Sequence, residues 1–591
     1  MTPVPKSKKG EQMLLSDLVV SYLEQFGVEY VFSVPGTPLS PLYDALARSE
    51  RKGGPRSILT RHENGAAFMA DGYARETGKL GVCCATTGPG ATNLITGVAS
   101  AYADRSPLLV ITAQTQLPNF SLGAFQESSA DVTDTVGMFE HCTRYNSLVT
   151  HPNQLENKLA IALTTALQLP KGPAHLSVPV DIFRSSAAEQ IAFPNLATLL
   201  TNPISEVDLI ALEMLCQDLF GILNQNRQVV LLIGHECKGA TPEIMAFAEL
   251  IGASILTTQR GKSWINPYHP LARGVFGFAG HKTARQTLLD ESVDLILAVG
   301  TTLWEWSSSH WDSVLLNNKL VHIQNSKADF AHSPMAHLHV YGTIKTIFKE
   351  LVIKIKTMQR EGKLSLGENR IEESIQSVTA YGSARSYVPS QIEVQVPESC
   401  SSDKSSSLIK PQRLICELIQ RFPPETRFLV DNSNSVPWTI HYFFHPQPEN
   451  YHLSIGLASM GWAIGAAVGM ALGTPNTPVV CFTGDGCFLM SGQEITVAVA
   501  EQLPVIFVVQ NDQAYGMIKH GHRIVGSEPV DFAISPVDFN QMAKSVGANV
   551  YTIRHPQDFD QIDYQALCTR QGPTLLEVYI DPEEAPPLGM F

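Results

Sequence analysis

The stretch Val479–Tyr515, VVCFTGDGCFLMSGQEITVAVAEQLPVIFVVQNDQAY, constrains this chain more than any other. It reads as an apolar strand, Val479–Phe482, entering a Gly-Asp-Gly turn at Gly484–Gly486. A helical segment around Gly492–Glu501 and a second apolar strand, Pro504–Val509, follow. Strand, tight turn, crossover helix and strand make a parallel βαβ unit, whose ligands sit beyond the carboxyl ends of the strands. The two glycines let the backbone come close to an anion, and the amides that open the helix turn the positive end of its dipole toward a phosphate. Asp485 is then placed to hold a hard divalent cation against that phosphate. Asp512, in the Asn511-Asp512 pair 27 positions on, reaches the same sheet edge and adds a second oxygen. Octahedral Mg²⁺, sharing its shell between protein and a diphosphate, suits such donors.

A chain of 591 residues is too long for one core, and roughly two to four domains are expected. In the first, VEYVFSVPG (Val28–Gly36), Arg56–Thr60, Leu80–Thr86, Pro107–Thr112 and Gly172–Ile182 read as strands with helices between them. A middle α/β segment has strands at Gln228–Ile233, Ser254–Thr257, Asp294–Val299 and Leu320–Ile323. The last domain opens near Gln412, with a strand and polar exit at Arg427–Ser435. These patterns predict three doubly wound parallel α/β domains over 1–190, 205–355 and 412–591. A polar, Ser- and Glu-rich linker, partly disordered, is expected over 356–411.

Leu453–Gly473, LSIGLASMGWAIGAAVGMALG, has the apolarity of a membrane span. Its glycines, with Pro475 and Pro478 close behind, favour a helix packed tightly inside an α/β core. No apolar segment follows the three lysines of the first twelve residues, so no secretory signal is expected. The net charge of −14 leaves no basic face for nucleic acid or an anionic membrane. Ten cysteines without a CxxC pair point away from zinc and toward reduced thiols in the cytoplasm.

The Gly-Asp-Gly turn and Asn-Asp pair resemble the diphosphate motif of thiamine-diphosphate enzymes. The first domain is similar to the pyrimidine-binding domain of acetolactate synthases. It carries, in order, VPG (Val34–Gly36), HENGA (His62–Ala66), DGYAR (Asp71–Arg75), TGPGATN (Thr87–Asn93), PLLVITAQ (Pro107–Gln114), AFQE (Ala124–Glu127) and GPAHLSVPVD (Gly172–Asp181). The resemblance implies thiamine diphosphate and Mg²⁺ as cofactors, with metal ligands Asp485, Asp512 and the main-chain oxygen of Ala514. Asp512 stands where the family more often has asparagine. It further implies that Glu63 hydrogen-bonds N1′ of the aminopyrimidine and favours proton loss from the thiazolium, and that Met460 holds the cofactor bent. Diphosphate contacts are expected from Asn432, Asn434, Ser435 and the backbone of Gly484, Asp485, Gly486 and Cys487, with Gly36 on the pyrimidine side. Because the family divides each site between subunits, a homodimer is the smallest assembly expected, a homotetramer the next.

The resemblance implies a carboligase that decarboxylates a 2-oxo acid and adds the acyl fragment to a second carbonyl compound. Related decarboxylases carry His-His after the Pro107–Thr112 strand, where this chain reads Ala113-Gln114. Gln114 and Gln126 are therefore candidate substrate contacts. A non-ligating decarboxylase and a catalytically silent homologue remain the alternatives. Two departures stand out. The family's flavin segment, Gly-x-Arg-Phe-Asp, is GTTLWEW here (Gly300–Trp306), so FAD stays open, with Gly234 and Gly274–Gly280 as the remaining nucleotide cradle. The tryptophan that narrows the family's acceptor pocket aligns with Gly521, which predicts a larger or different second substrate than pyruvate. Lys519, His520 and His522 are expected to be either contacts to an acidic substrate or a solvated loop.

Overall fold

The computed structural model describes residues 13–188, 191–201, 206–364, 388–394 and 408–588. They form three six-stranded sheets, each wholly parallel among the described pairs. The first contains β1 (Tyr30–Ser33), β2 (Arg56–Leu59), β3 (Gly81–Ala85), β4 (Leu108–Gln114), β5 (Tyr145–Leu148) and β6 (Ala174–Pro179), in the order β2-β1-β3-β4-β6-β5. The second contains β7 (Gln228–Ile233), β8 (Ser254–Thr257), β9 (Ala272–Val275), β10 (Val293–Val299), β11 (Leu320–Gln324) and β12 (Leu338–Tyr341), in the order β12-β11-β10-β7-β8-β9. The third contains β13 (Arg427–Val430), β14 (Tyr451–Leu453), β15 (Val479–Gly484), β16 (Val505–Asn511), β17 (Asn549–Ile553) and β18 (Thr574–Tyr579), in the order β14-β13-β15-β16-β18-β17.

The first and third sheets thus share one topology, whose strand order reverses between the first and third strands. The second has the order of dinucleotide-binding folds, reversing between its first and fourth. Central strands are buried on both faces, so LLVITAQ of β4 and VIFVVQN of β16 are nearly continuous apolar runs.

Most of the linker expected over 356–411 (365–387 and 395–407) lies outside the described residues. At its two ends the expectation is corrected: the Ile344–Arg360 helix extends into it, and Pro411 already opens the next helix. Both helices bury an apolar face in the core of the domain they belong to, the middle and the third, which a purely compositional reading misses.

The membrane-like stretch resolves into β14, a loop and a twelve-residue helix, Trp462–Gly473, buried from Trp462 to Leu472. No helix among the described residues is long and apolar enough to cross a membrane. This helix packs on Glu63–Thr77 of the first domain through facing glycines. A Cβ on Gly72 would lie 2.6 Å from the Cα and carbonyl carbon of Ala466, and one on Gly469 would lie 2.6 Å from the carbonyl carbon of Met69. Backbone meets backbone there, so the two helices approach as closely as helices can.

Around this pair the domains are tied by buried charge. Asp71 accepts from Trp462 Nε1 (2.7 Å) and pairs with Arg75 (2.8 Å). Asp104, wholly buried on its side chain, pairs with Arg75 of its own domain (2.7 Å) and Arg260 of the middle one (3.0 Å). It also accepts from Ser454 Oγ (2.5 Å) and Gly456 N (3.0 Å) of the third domain. The two guanidiniums outweigh burial and hold its carboxyl below the usual range.

Candidate active site

The strand-order reversal in the third sheet brings the exit loops of β13 and β15 face to face. A cavity of about 300 Å³ opens there. Its lining includes Asn432, Asn434, Ser435, Met460, Gly484, Asp485, Gly486, Cys487, Asp512 and Ala514, all of the residues expected on the diphosphate and metal side. The Gly-Asp-Gly turn differs from expectation in one respect: the helix starts at Asp485 itself and runs to Ser491, and a short 3-10 turn precedes Ile495–Ala500. The first amides of that helix therefore sit inside the turn. Gly484 is needed for closeness, since a Cβ there would lie 2.9 Å from Ser433 Cβ.

Asp485 is 3% accessible. Its Oδ1 accepts from Gly486 N (2.7 Å), and its Oδ2 is buried without a partner. Burial, and then the charge of Asp512, push its carboxyl up to about 7. Asp512 is pushed by burial to about 6. Two carboxyls held above their ordinary range, one with an orphaned oxygen, form a donor set that a hard divalent cation would satisfy. The Asn434 carboxamide oxygen and both polar atoms of the Gln510 carboxamide are likewise buried without partners on or beside this cavity. Gln510 escaped the sequence reading because nothing distinguishes it from the apolar strand that carries it.

Asp431 escaped as well, although its place directly after β13 was the available signal. It is fully buried and accepts from Asn432 N (3.0 Å), Gly461 N (2.9 Å) and Thr483 Oγ1 (2.9 Å), which pins together two strand exits and the turn after Met460. Burial raises it to about 6. Asn432 is engaged similarly: its amide donates to the carbonyls of Ser454 (2.8 Å) and Ser459 (3.0 Å), so it holds the loop that presents Met460. Gly461 takes a left-handed φ of +84° in that turn.

The other expected residues gather at the equivalent reversal of the first sheet, where the exits of β1 and β3 meet. A Cβ on Gly36 would collide with Thr86, and one on Gly90 would lie 3.3 Å from Glu63 Oε1. Glu63 is the first residue of its helix, is 8% accessible, and accepts from Asn93 Nδ2 (3.0 Å). Gln114 is 1% accessible and internally satisfied, accepting from Thr87 Oγ1 (3.0 Å) and Thr115 N (3.0 Å) and donating to Ser128 Oγ (3.1 Å). Gln126, at φ +57°, gives its carbonyl to Thr87 Oγ1 (2.9 Å) and leaves its side chain without a partner among the described residues. None of this first-domain cluster lines the 300 Å³ cavity within one chain.

Glu494 joins the two halves and was not foreseen. Its carboxylate accepts from Arg61 N (3.2 Å) and His62 N (2.9 Å), the backbone leading into the Glu63 helix. Burial pushes it up to about 7 despite those two donors.

The middle sheet was the remaining cradle for a flavin, and its donors do not fit one. At its reversal point the exits of β7 and β10 touch, and a Cβ on Gly234 would collide with the Gly300 carbonyl. Gly234 N donates to Val299 O (2.8 Å) and Glu236 N to Gly300 O (3.0 Å), so amides that a phosphate would need are engaged. The Glu236 carboxylate occupies the exit, bound by Arg105 (3.0 Å) and Asn325 (3.1 Å), and Arg105 is also paired with Asp329 (2.6 Å). A dinucleotide phosphate would meet the Glu236 carboxylate there, beside Gly234 and Glu236 amides that are already engaged.

Of the basic residues in the lid helix Gly516–Ile524, Lys519 and Arg523 both pair with Glu583 (2.7 Å each), and His520 is buried. Lys519, expected as either a contact to an acidic substrate or part of a solvated loop, is thus engaged by an ion pair on a helix. At Gly521, nothing lies within 4 Å of an added Cβ.

Family models described as the N-terminal TPP binding, central and C-terminal TPP binding domains of thiamine pyrophosphate enzymes match residues 13–135, 216–351 and 431–578. The chain is 28% identical to a probable acetolactate synthase large subunit of Methanococcus aeolicus, over 96% of this chain and 92% of that protein. It is 29% identical to acetolactate synthase isozyme 2 large subunit of Escherichia coli K12, over 95% of each chain. For isozyme 1 of the same organism the identity is 27%, over 96% of this chain and 94% of that one. With one of these models on each of its three sheets, and with relatives aligned nearly end to end, the chain belongs to the thiamine pyrophosphate enzymes.

Proposed function

We propose that the protein is an acetolactate synthase-like carboligase, which decarboxylates a 2-oxo acid and joins the acyl fragment to a second carbonyl compound. The observation that carries this reading is the single cavity that gathers the orphaned Asp485 oxygen, Asp512 and Met460, in a chain similar to acetolactate synthase large subunits over almost its full length. Thiamine diphosphate, when bound, supplies a carbon that adds to the keto group and accepts the electrons left by the departing carboxylate.

The residues of the chain hold and orient. Asp485, Asp512 and the Ala514 carbonyl would bind Mg²⁺, while Asn434, Ser435 and the amides of Gly486 and Cys487 would receive the diphosphate. Met460 supplies apolar bulk beneath the cofactor. Glu63 would face N1′ of the aminopyrimidine, held in place by the Asn93 carboxamide (3.0 Å). Of the two glutamines, Gln126 has the free carboxamide for a substrate, and Gln114 positions Thr87 and Ser128.

Glu63 is absent from the lining of the metal-side cavity within one chain, which supports a site completed by a second copy. Large apolar residues are exposed beside both clusters, Phe125 at 86% next to Gln126 and Val525 at 71% in the lid, which supports a homodimer at least. The nine described cysteines are all free, which favours a reducing compartment such as the cytoplasm.

Ala113-Gln114 in place of paired histidines favours ligation over release of an aldehyde. The open space at Gly521 and the pairing of the lid cations favour a bulky, apolar second substrate. Product analysis of holoenzyme with pairs of 2-oxo acids tests the reading. Acyloin without free aldehyde is expected; aldehyde alone would establish the decarboxylase, and no turnover the silent homologue. Glu63→Gln should retain cofactor binding yet almost abolish exchange of the thiazolium C2 proton with solvent deuterium. Unchanged exchange would remove Glu63 from its role.

A further inference from the structure

Among the described residues, the middle domain contributes one residue to the lining of the cofactor cavity, Trp306. It lies in GTTLWEW, the segment whose sequence departs most from the flavin pattern. Trp306 is half-buried, and its ring stacks on Phe278 with centroids 4.0 Å apart and planes at 16°. Its carbonyl accepts from Phe278 N (3.0 Å) and Gln259 Nε2 (3.0 Å). Gly277 passes that carbonyl at φ +93°, too close for any side chain. Phe278 is 4% accessible and packs in the core of the third domain, and the next residue is bonded there through its carbonyl to His441 Nδ1 (3.1 Å). The indole is therefore fixed relative to the cavity by backbone contacts on both sides.

Trp306 and Ala458 also line an adjoining cavity of about 350 Å³, so the indole is part of the partition between the two spaces. The apolar lining of the cavity also includes Val436, Met460, Tyr515, Met517, Ile518 and Ile580, and no lysine, arginine or histidine lines it. A thioether-rich wall with one pre-stacked indole suits a flat, polarisable substituent better than a methyl group or a charged one.

We propose that Trp306 is a specificity-determining residue that selects an aromatic 2-oxo acid over an aliphatic one by stacking. The inference rests on the carboligase reading and names the substrate class for the same site. One aromatic pair held in place is worth roughly threefold to tenfold in relative affinity beyond simple area burial.

The test compares kcat/KM for CO₂ release from phenylpyruvate and from pyruvate, with Mg²⁺ and thiamine diphosphate saturating. Wild type should favour phenylpyruvate. Trp306→Ala should shrink that ratio about fivefold or more, mainly through KM for phenylpyruvate, with thiamine diphosphate affinity unchanged, and Trp306→Phe should restore most of it. If the alanine variant does not fold, Trp306→Leu, which keeps apolar bulk without a ring, carries the same comparison. A wild-type preference for pyruvate, or a ratio that survives loss of the ring, overturns the assignment to Trp306 and leaves the carboligase reading standing. Absence of CO₂ from every 2-oxo acid in cofactor-loaded protein overturns that reading and this inference together.

Discussion

Replacing Gly469 by alanine sets two effects of opposite sign against each other. Helix propensity favours alanine over glycine in a helix interior by about 1 kcal/mol. Packing opposes it, because the new Cβ would lie 2.6 Å from the carbonyl carbon and 2.8 Å from the Cα of Met69, where ordinary contact begins near 3.4 Å. The Met69 carbonyl oxygen is closer still, so well over 0.8 Å must open between two helix backbones, and none of these obstacles is a side chain that can rotate away. The separation would also loosen Gly72 from Ala466 and Gly465 from Phe68 along the same seam. Overpacking of a rigid contact costs about 1–3 kcal/mol, and the loss of contacts along a seam takes it to the upper end, so a net loss of roughly 2 kcal/mol is expected. For a cooperative unit the size of one of these domains that is a fall of about 4–8 °C in melting temperature. Gly221→Ala is the control, since it sits exposed in the Leu209–Asn224 helix with nothing within 4 Å of the added carbon. There only propensity acts, and a gain of about 0.5–1 kcal/mol follows. Calorimetry of the two variants beside wild type decides the matter. If Gly469→Ala melts as high as Gly221→Ala, the close approach of the two helices is not what joins the first and third domains.

Mg²⁺ with thiamine diphosphate should raise the melting temperature of wild type, by the equivalent of about 3 kcal/mol at a hundred times the dissociation constant. Asp485→Ala should lose most of that gain, and an undiminished gain would place the cation elsewhere. Glu494 carries a pH signature: its folded carboxyl, pushed by burial to about 7, binds its proton more tightly than in the unfolded chain. Its contribution is complete below about 4.5 and is lost as pH rises through about 7, by up to roughly 3 kcal/mol. Glu494→Gln should therefore narrow the difference in urea midpoint between pH 5 and pH 8, and an unaltered difference would show that other groups carry it.

Legibility in the sequence followed burial. Interior strands such as Leu108–Gln114 and Val505–Asn511 are apolar on both faces and announced themselves, whereas Tyr145–Leu148, Ala272–Val275, Leu338–Tyr341, Tyr451–Leu453 and Asn549–Ile553 did not. All five are sheet edges, with one neighbour each and few residues to pattern. Thr574–Tyr579 is an interior strand with the apolar signal, and the sequence reading left it unassigned. The Gly-Asp-Gly turn and Glu63 were legible because a close backbone approach to an anion, or a carboxylate opening a helix of small residues, leaves few residue choices. Asp431, Glu494 and Gln510 were not, since an acid or amide acquires meaning only from what surrounds it.

The sequence by itself determined that the chain is built of parallel α/β domains, and it singled out Glu63 and Asp485 as the carboxylates to look for at separate strand exits. Glycines and apolar runs report local demands on the backbone, and those demands are met within a few residues. Only the tertiary structure decided that Gln114 is enclosed while Gln126 is free, that Glu236 and Arg105 pair at the dinucleotide crevice, and that Trp306 of the middle domain reaches the cavity of the third. Each of these depends on which distant segments share a wall, and such proximity is set by packing between domains, which no local pattern encodes.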